Sequence, residues 1–102
     1  MAIVVKTKTP RLLLAGIKKA IDEDLVQTWA YDADGDFTHT AEQWKNKAWL
    51  RPSVQPGMLE LNIVAPQGQA ITYEVNAIYH GRFIEMLLAH FGNRFSVAKA
   101  AA

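Results

Sequence analysis

The side chains of this chain best suited to proton transfer or anion binding are His39, His80, Arg51 and Arg82, with His90 beside them in sequence. His80 and Arg82 interrupt the apolar surface of EVNAIYHGRFIEMLLAHF, residues 74 to 91. Held beside His39 or Arg51, they could clamp a carboxylate or phosphate, or act as acid and base. Plainer uses compete with this. His90 falls on the apolar face, where a histidine is ordinarily a hydrogen-bonded core residue, and Arg82 with Glu85 three residues on makes a helix-surface pair. No serine or cysteine stands in a nucleophile's setting and no glycine-rich phosphate loop is present, so binding is favoured over catalysis.

Two acidic clusters invite a metal reading and fail it. Asp32-x-Asp34-Gly35-Asp36 opens like a calcium loop, but glycine is required in the sixth place and glutamate in the twelfth, where the chain has Phe37 and Gln43. A solvated hairpin tip is the simpler account, and neither a metal nor a cofactor is expected. Asp22-Glu23-Asp24 places acids at a helix C-terminus, where the dipole favours cations; a solvated turn explains it.

The aromatic residues suggest a surface instead. Trp29, Tyr31 and Trp49 with Arg51 are hot-spot residue types, and alternation places them with Gln27, Glu60 and Asn62 on one face of a sheet if Val26, Ala30, Leu50, Leu59, Leu61 and Ile63 face the core. The opposite register would make Trp29 and Trp49 core residues. Base stacking on such a face is conceivable. The absence of a basic stripe argues against nucleic acid.

The elements that must position these groups follow from periodicity. Residues 74 to 91 carry large apolar side chains at helical spacing over more than half the circumference, so this helix must be covered on two sides. Thr72 and Glu74 suit its start and Gly92-Asn93 its stop. An alternative strand over residues 69 to 79 lacks the continuing period. Thr9-Pro10 starts a first helix, threonine capping, with an apolar stripe of Leu13, Leu14, Ile17 and Ile21. Gly16 and Ala20 are expected to pack against Ala77 and Gly81, bringing the helices side by side. Between the helices, LVQTWAY, an Asp34-Gly35 hairpin turn, residues 36 to 39, a brief helical turn from Thr40, residues 48 to 54 and Met58–Ala65 read as strands and turns. Gln55-Pro56-Gly57-Met58 fits a type II turn, and Pro52 marks an edge or bulge. Residues 3 to 5 could be a short edge strand, and the tail at 97–102 is expected to fray. The sum is one α+β domain over residues 1–102: helix, a three- or four-stranded antiparallel meander, helix, in two layers with both helices on one sheet face.

Composition narrows the setting. The 102 residues include no cysteine, which removes disulfides and thiolate chemistry and fits a cytoplasmic location. No secretory signal or membrane-length apolar run is present. With 11 basic and 10 acidic residues the formal charge is +1, which argues against a general polyanion binder.

DGDFTHTAEQWKNKAWLRP, ending at Pro52, and IYHGRFIEMLLAHF at 78 to 91 together resemble a group of small uncharacterised bacterial proteins. The resemblance implies a bacterial, cytoplasmic, single-domain α+β protein and brings no catalytic residue. The leading expectation is a non-enzymatic interaction module. It would bind an unidentified protein partner or form a homodimer through a surplus apolar stripe of Ile84, Leu88 and Phe91. Its alternatives are a small enzyme or anion-binding protein using His80, Arg82, His39 and Arg51, and then a single-strand nucleic-acid binder.

Overall fold

Alternating burial along the strands decides the layers. The computed structural model describes residues 1–101 and contains β1 (Ala2–Lys6), α1 (Pro10–Asp22), β2 (Trp29–Tyr31), β3 (Phe37–His39), β4 (Trp49–Gln55), β5 (Met58–Val64), α2 (Tyr73–Phe91) and β6 (Val97–Ala101). Ile3 and Val5 of β1, Leu50 of β4, and Leu59 and Leu61 of β5 are fully buried, while their strand neighbours Val4, Arg51 and Glu60 keep solvent contact. The buried set joins Leu13 and Ile17 of α1 and Tyr79, Phe83 and Leu87 of α2 in one cluster, so both helices cover the same sheet face.

The strands form one antiparallel sheet in the order β2-β3-β4-β5-β1-β6. The expected meander is its β2–β5 portion. The sheet has six strands because two segments expected to be marginal both pair. β1 is an interior strand, with Ile3 opposite Leu61 on one side and Ala100 on the other. Val97–Ala101 is strand where fraying was expected, held by the register Lys6↔Val97 to Ala2↔Ala101; Ala102 lies outside the described residues.

Local rules explain most boundaries. Pro10 occupies the first turn of α1, where its missing N–H costs nothing, and Thr72 caps α2 by accepting from the Val75 N–H at 3.1 Å. Gly57 has φ +69°, as a type II turn requires at its third residue. β3 pairs with β4 only at Phe37↔Leu50, so Pro52 is without a neighbour on the β3 side and faces Leu61 of β5 on the other. The first hairpin is wider than the dipeptide suggests. Only Gly35 takes a positive φ, and the Asp32 carboxylate accepts the N–H groups of Asp34 and Asp36 at 3.0 Å each.

Two expectations fail for identifiable reasons. The small-residue strips do not meet: a side chain at Gly81 would find nothing within 4 Å, and one at Gly16 would meet the Arg94 guanidinium at 2.7 Å. Each helix is satisfied by the sheet, so the glycines lie elsewhere than a helix–helix seam. Trp29 is in the core, 2% exposed, at edge-to-face geometry with His39, Tyr79 and Phe83. Its side was inferred by alternation from Val26, but residues 25–28 are not strand, so that phase does not carry forward. No helix among the described residues is long and apolar enough to cross a membrane.

Candidate functional site

The expected acid–base cluster does not assemble. His39 and Arg82 line a pocket of about 220 Å³ together with Thr28, Glu85, Met86 and His90. His80 is buried and its Nδ1 lies 2.8 Å from the Asn76 carbonyl oxygen, one helical turn back. Arg51 is on the opposite face of the sheet, bound to Asp36. His90, expected in the core, is exposed on the pocket's rim. Within the pocket, His39 Nδ1 accepts the Ala41 N–H at 3.0 Å, which leaves the proton on Nε2; that buried donor has no partner among the described residues. Burial first, and the Arg82 charge second, hold the His39 pKa below its ordinary value. His39 is therefore a neutral donor at physiological pH, with its basic nitrogen already engaged.

The aromatic platform is reduced to one tryptophan. Trp49, Arg51, Glu60 and Asn62 do share the face away from the helices, in the register Trp49↔Val64 and Arg51↔Asn62. Trp29 and Tyr31 belong to the helix side. Tyr31 donates to the Asp22 carboxylate at 2.6 Å, which raises its pKa, and Lys18 sits 5.4 Å over its ring. The apolar stripe expected to dimerise is split as well: Phe91 is a core residue, Ile84 is half-buried against the core, and Leu88 alone is well exposed.

The acids beside these residues neutralise themselves locally. Asp32, Asp34 and Asp36 bring their carboxylates within 4.8 Å of one another, yet Asp36 is gripped by Arg51 through Nε at 3.3 Å and Nη2 at 2.9 Å. That grip, reinforced by Asp34 and Asp32, pushes the Arg51 pKa up. Lys18 reaches over Gly35 in the same turn.

A second region, at the N-terminal end of α1, has the opposite character. Four segments converge there: the end of β1, the start of α1, the β4–β5 turn and the loop from α2 to β6. They border two adjoining, open concavities. One, of about 560 Å³, is lined by Lys6, Lys8, Arg94 and Phe95 among others; the next, of about 490 Å³, by Arg11, Leu12 and Val54; Lys8, Thr9 and Gly57 are common to both. Among the described residues, no aspartate or glutamate lines either one. None of Lys6, Lys8, Arg11 and Arg94 forms an ion pair among the described residues.

Thr7 organises this groove. Its N–H donates to the Gly57 carbonyl at 3.1 Å, and its buried hydroxyl donates to the Arg94 carbonyl at 2.8 Å while accepting the Thr9 N–H at 3.2 Å. The Ser96 N–H closes the floor on the Lys6 carbonyl at 2.9 Å. The cations therefore stand on fixed backbone. Thr9 departs from its expected capping role: its side chain makes no cap hydrogen bond, and the first turn of α1 holds no acid. Uncapped N–H groups and the positive end of the dipole thus add to the side-chain charge.

This groove was missed because net charge averages over the chain. The signal was present in the order of residues: Lys6, Lys8, Arg11, Lys18 and Lys19 all precede the first acid, Asp22. The rest of the cluster comes from Arg94, whose approach to Lys6 and Lys8 depends on β6 pairing with β1. No family model, curated protein or solved structure matches the chain.

Proposed function

We propose that this chain is a small binding module for phosphate-bearing ligands, acting through the groove at the start of α1. The observation that carries the reading is a concave surface bordered by Lys6, Lys8 and Arg11, none in an ion pair among the described residues, and by Arg94, whose guanidinium lies 5.8 Å over the Phe91 ring, with an uncapped helix N-terminus and no lining carboxylate among those residues. Arginine, lysine and exposed helical N–H groups are the donors that suit phosphate oxygens. Like charges held together on a fixed floor repel one another, and an anion would relieve that repulsion. A cytoplasmic setting, where phosphorylated molecules are abundant, fits the reading.

The test uses inorganic tripolyphosphate as the probe. Its titration into the labelled protein should move the amide resonances of Thr9, Arg11, Gly57, Arg94 and Ser96 together, along one saturable curve that weakens with added salt. Shifts confined to the His39–Arg82 pocket, or absent altogether, would remove the proposal.

A further inference from the structure

Resting on the anion-binding reading, we infer that the groove is shaped for a single-stranded nucleic-acid backbone, with one phosphate in each concavity. The cationic groups are distributed along the groove and do not converge on a point. Lys6 and Arg94 line the first concavity, Arg11 and the start of α1 the second, and Lys8 lies on the saddle between them. Each concavity far exceeds one phosphate, so a single phosphate could not engage both sets.

Linked phosphates of an oligophosphate share a bridging oxygen, so an oligophosphate lies across the saddle between the two sets and fills neither concavity. Along a nucleic-acid strand a sugar separates each phosphate from the next, and the shared Lys8–Thr9–Gly57 saddle is where that sugar would cross. Gly57 keeps the crossing low, with no side chain and no atom within 4 Å of where one would begin. Apolar surface accompanies the charge: Phe95 is half-buried in the first concavity, and Leu12, 62% exposed, borders the second. A site for phosphate alone has no use for these, whereas an unpaired base can stack on an aromatic ring such as that of Phe95. Paired bases are stacked inward and could not reach it, so the strand is single.

The experiment is fluorescence anisotropy of a labelled short oligothymidylate with the full chain across a salt series. Unlabelled duplex and inorganic tripolyphosphate serve as competitors, and K8Q and R11Q serve as variants. Both substituted side chains are exposed, and an unchanged melting temperature confirms that each variant is folded. Neutralising two phosphates of a single strand gives a slope of log K against log salt of about −1.4, falling to about −0.7 when one contact is lost. Saturable binding with the first slope, shifted to the second in R11Q and weakened in K8Q, supports the inference. Tripolyphosphate binding without oligonucleotide binding overturns it and leaves the anion-binding reading standing; binding of neither overturns both. Oligonucleotide binding unchanged in both variants would place the strand elsewhere and overturn it, as would duplex competing as well as single strand.

Discussion

Helix α1 joins two regions that treat charge in opposite ways. At its C-terminal end Asp22 is bonded to Tyr31, Asp36 to Arg51, and Asp32 to two backbone N–H groups. At its N-terminal end, roughly 20 Å away for 13 helical residues, Lys6, Lys8, Arg11 and Arg94 have no acidic partner. Acids are present in the chain in nearly equal number, so composition cannot explain the difference. It lies in placement. Charges that are partnered within the fold contribute to stability, whereas charges gathered without partners cost a little stability and remain available to a ligand.

The comparison is broken most sharply by exchanging the two behaviours. D36A removes a nearly buried carboxylate and strands Arg51; it should lower the unfolding free energy by about 1–3 kcal/mol while leaving tripolyphosphate affinity unchanged. Urea denaturation and a titration on the same sample measure both. A loss of affinity equal to that in R11Q would mean the two ends are coupled.

Acid titration probes the core between them. His39 is held neutral in the fold, its pKa below the ordinary value near 6.5. The unfolded chain therefore binds the extra proton between those two values, so stability is full above about pH 6.5 and falls as the pH drops through and below it. Melting temperature against pH should show this decline, and H39Q should flatten it. An equal decline in H39Q would assign the acid sensitivity to the carboxylates.

The smallest effect belongs to the basic end. K8Q and R11Q should each change stability by within about 0.5 kcal/mol, with a slight gain from relieved repulsion, although both weaken anion binding. A clear loss of stability in either would show that these cations already have a structural role.

Much of this architecture was legible where local chemistry decides it. The helix, expected over 74–91 and observed over 73–91, its Thr72 cap, the Pro56-Gly57 turn and the alternation of Leu59 and Leu61 need no distant information. What was not legible depends on partners far apart in sequence. Val97–Ala101 is strand because β1 offers an edge, and Trp29 is core because Tyr79 and Phe83 stand over it. Gly81 shows the same limit: small residues four apart suggest a helix seam, and only the placement of both helices reveals open space. G81A should accordingly stabilise the protein by about 1 kcal/mol, since glycine within a helix carries only its entropic cost there. Destabilisation by the same substitution, read in the thermal midpoint, would restore the seam.

The position of β1 also sets a timetable. Both of its neighbours are later in sequence, with Ile3 facing Leu61 and Ala100, so the earliest strand must wait for the most distant contacts in the molecule. Such long-range closures slow folding. The meander and the two helices are therefore expected to collapse first; β1 then pairs with β5 and offers the edge on which β6 closes, and the groove, whose floor hangs on Thr7, comes into being only then.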